Sequence, residues 1–597
     1  MQTAPEYDVV IAGAGLAGLA LCRHLLLDSD KRVLLLDKRS QIPPAKQKVG
    51  ESLVQVGGYY FSKVLDLEEY LFRNHYMKYN LRFYWKSPQR ENRRFEDYSQ
   101  AYIRQFSNIG CYQLDRNTLE GDLLRLNREN PRFTFCSPAR IRDVELSEEG
   151  PHRVIFGSGG QKHSVETEWF VDATGRNKLL ARRIGLARDN PIRHGSSFLW
   201  VEGLVDIERL TDRSRKEIRL KRSRASQGHL PLWLATNHFM GEGFWFWVIP
   251  LQGLTSLGLV YDSQIFPAER VNTPQKLMDW ACREFPLFQR DLPGRTILDW
   301  GRLPDFSYGC KQTISPWKWA ISGEAGRFSD PLYSPGSDLI SFHNTLIVDA
   351  ILTSQESELA DKCPFYEQLL KSLYEGYLPT YARSYDALGD QEIFCLKYTW
   401  ELATYFGFYV FPFINDLFTD RDFARIFLSK FSRLGGINHG LQSLFSDYYQ
   451  WKKTHRQEQA QPVLFDFTEI GHLKRAQSAF YRVDVSVEEA QGVLAEQLGN
   501  LKDLARFILA YVSSAVLEEP AVLTSRAFVE GINLKEMRFD PEGMRQRWMS
   551  CSGSKERHDW GFDPAALGSF RTPLAQVAGG PMPVPQRHSE DRERSLA

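Results

Sequence analysis

The sequence carries no net charge: 74 Lys and Arg face 74 Asp and Glu over 597 residues. That balance excludes a general polyanion binder, so no nucleic-acid partner is expected. The eight cysteines are scattered and none forms a C-x-x-C pair. A zinc ribbon and a disulfide framework are thereby excluded, and no metal site is expected. No apolar run reaches the roughly 18 residues that a membrane helix needs; Phe406 to Ile414 is apolar but too short. No secretory leader precedes the first apolar segment, and no internal repeat is visible. The expectation is a soluble, cytoplasmic protein with no integral membrane association. What is plentiful is aromatic: 13% Phe, Trp and Tyr, which suits either a rich core or a site for flat ligands.

The organising stretch is Tyr7 to Arg39. Tyr7 to Ala12 is a short apolar run with the pattern of a buried strand, and Gly13-Ala14-Gly15-Leu16-Ala17-Gly18 is a G-x-G-x-x-G. Apolar residues at helical spacing follow from Leu19 to Leu27, and a second apolar strand, Val33 to Leu36, ends in Asp37. This is a βαβ unit that binds a dinucleotide. Gly13 makes the tight turn, Gly15 admits a pyrophosphate, and Gly18 lets helix and strand pack closely. The helix N-terminus offers free N–H groups and a positive dipole end. Asp37 is placed to accept from a ribose diol, with Ala14, Lys38 and Arg39 beside it.

Further on, Gly50-Glu51-Ser52 precedes a helical stretch from about Val54 to His75. Tyr76 to Trp85, containing Lys78, reads as a strand, and 86–100 as a loop. Asp115 is a plausible N-cap for a helix opening at Arg116. Asp172-Ala173-Thr174-Gly175 ends a strand in a glycine turn, which suggests a second backbone approach to the same cofactor. Residues 195–306 look mainly β, including Trp245 to Pro250. A strand runs into Gly323-Glu324, a loop carries Asp330 and Pro331 to Ser337, and a helix begins near Leu339. The pattern from Pro364 to Val516 is largely helical, and the Pro/Gly-rich, charged end after Gly568 reads as disordered.

These pieces, in this order, resemble the FAD-binding fold of flavin monooxygenases of the hydroxybenzoate-hydroxylase type. A narrower resemblance is carried by Trp245-Phe246-Trp247-Val248-Ile249-Pro250, which looks like the W-x-W-x-I-P signature of flavin-dependent halogenases. The bland alternative is an aromatic core strand. Gly50-Glu51-Ser52 is similar to the halogenase G-E-S/A segment, and Lys78 sits where these enzymes carry their essential lysine. The resemblance implies an α/β chain: a Rossmann-like FAD-binding domain, an inserted, mainly antiparallel β substrate domain and a helical C-terminal region. The expected division is 1–355 for the FAD-binding and substrate region, with its β sheet at about 195–306, then 356–567 mainly helical and 568–597 as tail.

The implied activity is FADH2- and O2-dependent halogenation of an electron-rich aromatic through hypohalous acid. Lys78, Trp245 and Trp247 would be catalytic. FAD would be held by Gly13, Ala14, Gly15, Gly18, Asp37, Lys38, Arg39, Gly50, Glu51, Ser52, Arg116, Thr174, Gly175, Glu324, Asp330 and Pro331. The family binds halide through backbone N–H groups, here of Gly336 and Ser337; Pro335 beside them has none. Glu324 stands where the family usually carries Asp. Tyr333 fills the place where tryptophan halogenases carry Glu, which turns the expected substrate from free tryptophan to a phenol, pyrrole or other aryl group, free or on a carrier protein. With no second dinucleotide fingerprint in view, a separate flavin reductase is the expected electron source. The alternative is a monooxygenase or reductase of the same fold that uses no halide. The basic run Arg209 to Arg224 reads as a solvated loop or as a docking patch for an acidic carrier protein.

Overall fold

Tyr7–Ala12 is a strand, Leu16–Asp28 a helix (α1), and Val33–Leu36 a second strand parallel to the first. Every residue of the second strand is buried, which is why it reads as an unbroken apolar run rather than an alternation. Gln161–Asp172 pairs in parallel with the first strand, Trp319–Ile321 with Gln161–Asp172, and Phe133–Cys136 with Val33–Leu36. The carboxyl ends of the central strands, at Ala12, Leu36 and Asp172, therefore come out at one edge, the side where a doubly wound sheet binds its ligand. The structure is a computed structural model that describes residues 6–103, 107–225, 230–455, 462–551, 555–564 and 567, without the side chains of 221–225. The expected tail at 568–597 lies outside the described residues.

A second sheet runs in the order Ile297–Leu303, His194–Glu202, Leu254–Asp262, Phe244–Leu251, Thr236–Gly241, Leu81–Lys86, Tyr98–Tyr102 and Leu464–Asp466. It is antiparallel except where Leu81–Lys86 meets Thr236–Gly241 and where Leu464–Asp466 meets Tyr98–Tyr102. Its members come from far apart in the chain, so the sheet is wider than its run of sequential strands suggests.

The remaining mass is helical: Gly336–Leu352 (α2), Glu356–Ala382 (α3), Gln391–Tyr405 (α4), Arg421–His455 (α5) and Val487–Leu517 (α6). One hydrophobic cluster runs from Val9 to Leu567 and joins these helices to the nucleotide sheet. Among the described residues no helix is long and apolar enough to cross a membrane. The apolar stretch Phe406 to Ile414 is a buried π-turn and short helix of this core.

Three expectations over residues 54–100 change. The helix expected over 54–75 is broken into Gln55–Tyr59, a π-turn Tyr60–Val64 and Glu68–Asn74, with Asp66 left-handed at φ 52° between them. The loop expected at 86–100 contains the start of the strand Tyr98–Tyr102. The strand expected over Tyr76 to Trp85 is two strands, Tyr76–Met77 and Leu81–Lys86, and Lys78 lies in the gap.

Candidate active site

The nucleotide crevice is built by the glycines, each for a different reason. Gly13 has φ +107°, and a Cβ there would lie 2.5 Å from the Ala173 carbonyl oxygen. A Cβ at Gly18 would lie 2.0 Å from the Gly13 carbonyl oxygen. At Gly15 a Cβ would meet nothing within 4 Å, so the space before α1 is open. No side chain caps α1 and no acidic residue sits in its first turn, leaving its N–H groups for an anionic ligand. These observations fit the pyrophosphate of FAD.

Asp37 accepts from Ala14 N (2.7 Å), Arg39 N (2.8 Å), Arg39 Nε (2.9 Å) and Arg39 Nη2 (2.8 Å). Burial works against its ionisation, but the bonds from Arg39 and Ala14 outweigh it and hold the carboxyl below its ordinary range. Four donors match the acceptor sites of one carboxylate, so Asp37 ties the glycine turn to Arg39. Lys38 beside it is exposed. Asp172 works similarly, accepting from Thr174 N (2.8 Å), Thr174 Oγ1 (2.6 Å) and Leu180 N (2.7 Å), and Gly175 takes φ +58° in that turn. Glu324, in the 3-10 turn Gly323–Ala325, is exposed. Gly50 has φ +92°, and Arg116 Nη1 packs where its Cβ would be, at 2.7 Å. That guanidinium donates to the Val49 carbonyl (3.0 Å) and to Glu120 (2.6 Å).

Glu51, Ser52 and Lys78 converge. Lys78 is buried, its N–H donates to the Cys111 carbonyl (2.8 Å), and Asn80 turns the chain at φ +81° before the next strand begins. Lys78 Nζ donates to Ser52 Oγ (2.8 Å) and to the Leu53 carbonyl. Ser52 Oγ in turn lies 2.9 Å from Thr236 Oγ1, which accepts from Gln113 Nε2 at 2.8 Å. Burial pushes the Lys78 ammonium down to about 8, partly offset by Cys111 and Asp338. Glu51 accepts from Trp200 Nε1 (2.9 Å), and burial pushes its carboxyl up to about 7.

Trp245 and Trp247 lie buried on Phe244–Leu251 with ring centroids 5.7 Å apart. Trp247 Nε1 donates to Ser256 Oγ (3.0 Å). Trp245 Nε1 donates to the Tyr385 hydroxyl (2.6 Å), which donates to Asp330 (3.1 Å). Asp330 is also bonded to His194 Nδ1 (2.6 Å) and Leu332 N (2.8 Å). The second sheet and the Asp330–Pro331 loop are thus tied through one tyrosine. Tyr333 and Ser334 both stand left-handed, at φ 70° and 64°, a strained pair for residues with side chains. They turn the chain into Pro335, after which Gly336 and Ser337 open α2.

A cavity of about 500 Å³ reaches Lys78 and the Tyr333–Pro335 turn. Its lining includes Lys78, Cys111, Tyr333, Pro335 and Asp338, together with Tyr377 and Tyr381 of α3, Tyr398, Glu401 and Tyr405 of α4, and Phe431 of α5. Neither indole of the W-x-W pair lines it. Asp338, which the sequence reading missed, accepts from Gly57 N (2.8 Å) and the Tyr405 hydroxyl (2.8 Å), and burial pushes it up to about 7. Glu401 and Tyr405 were missed as well. Their available signal was the spacing Tyr398, Glu401, Leu402, Tyr405, one helix face carrying a carboxylate where an apolar residue would do.

No family model matches the chain. Flavin-dependent halogenase chlA of Dictyostelium discoideum is 26% identical over 451 residues, 69% of this chain and 73% of that protein. Tetracycline 7-halogenase of Kitasatospora aureofaciens is 24% identical over 396 residues, 62% of this chain and 68% of that protein. The 1H-pyrrole-2-carbonyl peptidyl-carrier-protein chlorinase of Pseudomonas fluorescens is 24% identical over 350 residues, 55% of this chain and 72% of that protein. The crystal structure of halogenase PltM in complex with phloroglucinol and FAD matches with TM-score 0.56 at 17% identity, over 84% of this chain and 97% of that one. In sequence the chain is similar to flavin-dependent halogenases, and it shares its fold with a solved halogenase.

Proposed function

We propose that this protein halogenates an electron-rich aromatic substrate, using FAD reduced by a separate flavin reductase, O2 and a halide ion. The observation that carries this reading is Lys78. It is a buried lysine, fastened to the serine of the Gly50-Glu51-Ser52 segment, on the wall of a cavity large enough for an aromatic ring. Bound FAD, once reduced and exposed to O2, supplies the oxidising power that turns halide into hypohalous acid. Gly15 and the N-terminus of α1 would hold its pyrophosphate. The N–H groups of Gly336 and Ser337 would receive the halide; an ionised Asp338 in the same turn would repel it, and burial favours its neutral form. Lys78 gives two donors to Ser52 and Leu53, which leaves one N–H of its ammonium to hold the oxidant beside the substrate. Trp245 and Trp247, packed outside the cavity, would close the sheet between substrate and cofactor.

The similarity to a peptidyl-carrier-protein chlorinase keeps a carrier-borne substrate in view. The basic run is a helix over Arg215–Ala225. Arg209 and Arg213 are paired with Asp206 and Glu96, while Arg215, Lys216 and Arg219 are exposed; the side chains of Lys221, Arg222 and Arg224 lie outside the described residues. Docking of an acidic carrier there would weaken with salt.

The test is to reduce the FAD-loaded protein without oxygen, then mix it with aerated buffer, bromide and a phenol. A product heavier by one bromine, absent without bromide, is expected. A hydroxylated product formed equally without halide would establish the monooxygenase alternative instead.

A further inference from the structure

A thiol faces the lysine on which the proposed reaction turns. Tyr76–Met77 pairs antiparallel with Tyr112–Gln113, Met77 opposite Tyr112. One step further the Lys78 N–H donates to the Cys111 carbonyl (2.8 Å). Lys78 and Cys111 therefore stand opposite each other, with their side chains on one face of the ladder. The other edge of the segment 111–113 belongs to Ser52 and Leu53: Ser52 bridges to Gln113, and Leu53 N donates to the Tyr112 carbonyl (3.0 Å). Lys78 Nζ donates to Ser52 Oγ and to the Leu53 carbonyl, so the lysine side chain crosses the segment that carries Cys111 to reach them.

Both residues are buried and both line the cavity; of the eight cysteines, all among the described residues, Cys111 alone does so. Its Sγ is in no disulfide and donates only weakly, to the Ile109 carbonyl at 3.7 Å. Burial pushes the Cys111 thiol up to about 11, with Lys78 pulling the other way. A protonated thiol reacts slowly with dissolved peroxide, whereas hypohalous acid, a far stronger electrophile, carries a thiol up the oxidation ladder. Burial of Lys78 keeps part of its amine neutral near pH 8, and a neutral amine attacks activated sulfur. The pair thus sets an oxidisable group and a nucleophile side by side on the wall where the oxidant is to be held.

We propose that Cys111 is a self-modification site, at which hypohalous acid formed with no substrate in the cavity joins the Cys111 sulfur to the Lys78 nitrogen. In the first step the sulfur gives two electrons to the halogen and an S–X bond forms; the O–X bond breaks, and the hydroxide leaves as water with the thiol proton. In the second the neutral Lys78 amine attacks the sulfur, halide departs, and the amine releases one proton, leaving an S–N bond. HOX, thiol and amine thus become a sulfenamide, halide, water and a proton. Lys78 then holds no oxidant and turnover stops. Two molecules of a thiol reductant reopen the bond, returning both side chains and forming one disulfide. An aromatic substrate in the cavity takes the halogen first, so the protein switches itself off only when it makes oxidant with nothing to halogenate. This goes beyond the function proposed above and rests on that reading.

The first arm of the test asks whether the pair is within reach, without any turnover. Ortho-phthalaldehyde condenses with an amine and a thiol only where the two are close, giving a fluorescent isoindole. The oxidised, FAD-loaded protein is expected to form it at Lys78 and Cys111, located by peptide mapping, and Cys111→Ala to lose that signal; Cys111→Ser serves if the alanine variant does not fold. The second arm supplies reduced FAD, O2 and bromide without an aromatic. Peptide mass mapping is expected to find Lys78 and Cys111 joined and lighter by two hydrogens, with most bromination activity lost and then restored by dithiothreitol. Cys111→Ala should form no link, and a phenol present throughout should protect wild type. Absence of isoindole at the pair would overturn the proposal. So would a link formed equally with the phenol present, or isoindole without the link from a wild type that brominates a phenol in a parallel sample. Isoindole without the link from a wild type that brominates nothing is the failure of the halogenation reading, and the self-modification falls with it.

Discussion

At the scale of single residues, the glycines of the first turn separate cofactor from fold. Gly15→Val adds a Cβ with no protein atom within 4 Å, at a backbone φ of −94° that any residue adopts. The variant should fold with wild-type stability and retain less than about a tenth of the flavin, measured as bound FAD absorbance per protein; normal flavin content would remove the cofactor assignment. Gly18→Ala should instead fail to fold, since its Cβ collides with the Gly13 carbonyl. Lys78 gives a pH signature. Burial lowers its ammonium from 10.5 to about 8, so the donor is lost as pH rises through 8. Product formed per flavin oxidised should fall across that pH while flavin reoxidation continues; a yield that rises there would point to the neutral amine acting as a nucleophile. The stability sign is the reverse. Between pH 8 and 10.5 the unfolded chain binds more protons than the folded one, so wild type should gain on Lys78→Met as pH rises through that window. Lys78 was legible by resemblance, but its burial was not: a partly alternating run cannot show that Asn80 reverses the backbone and breaks the strand beside it.

At the scale of elements, the parallel strands and α1 were legible because burial on both faces and a 3.6-residue period leave direct marks in the sequence. The breaks were not. Gly57 looks like a weak point in a helix, yet it is where α2 comes closest: a Cβ would lie 2.7 Å from Ser337 Oγ. That requirement belongs to the packing and not to the segment. Tyr385 shows the same limit from the other side, a residue in an ordinary stretch that joins the Trp245 strand to the Asp330 loop. Tyr385→Phe strands a buried indole N–H and removes one donor from Asp330. It should destabilise the protein by about 2 kcal/mol, read by denaturant unfolding; a change below about 0.5 kcal/mol would mean that the link carries no strain between sheet and loop.

At the scale of the whole molecule, the C-terminal helices are walls of the cavity. The sequence showed that region as helical and aromatic but gave no hint of its place. A Lys and a Glu four apart read as an ordinary surface pair, and only the packing of α4 against α3 and α5 turns Lys397 and Glu401 inward. Because one hydrophobic cluster runs from Val9 to Leu567, a fragment ending at Leu352 should not yield a soluble, flavin-retaining protein. A monomeric fragment with bound FAD would show that the helices are an addition to a self-sufficient fold. In the function proposed above, the oxidant is made at the flavin and used at Lys78. The most direct measurement compares wild type with Lys78→Ala in a single turnover with reduced FAD, O2, bromide and a phenol, following flavin absorbance and brominated product together. Lys78→Ala should reoxidise flavin at the wild-type rate with product reduced at least about a hundredfold, the loss seen when a residue that holds the reacting species is removed. Wild-type product yield from Lys78→Ala would contradict it.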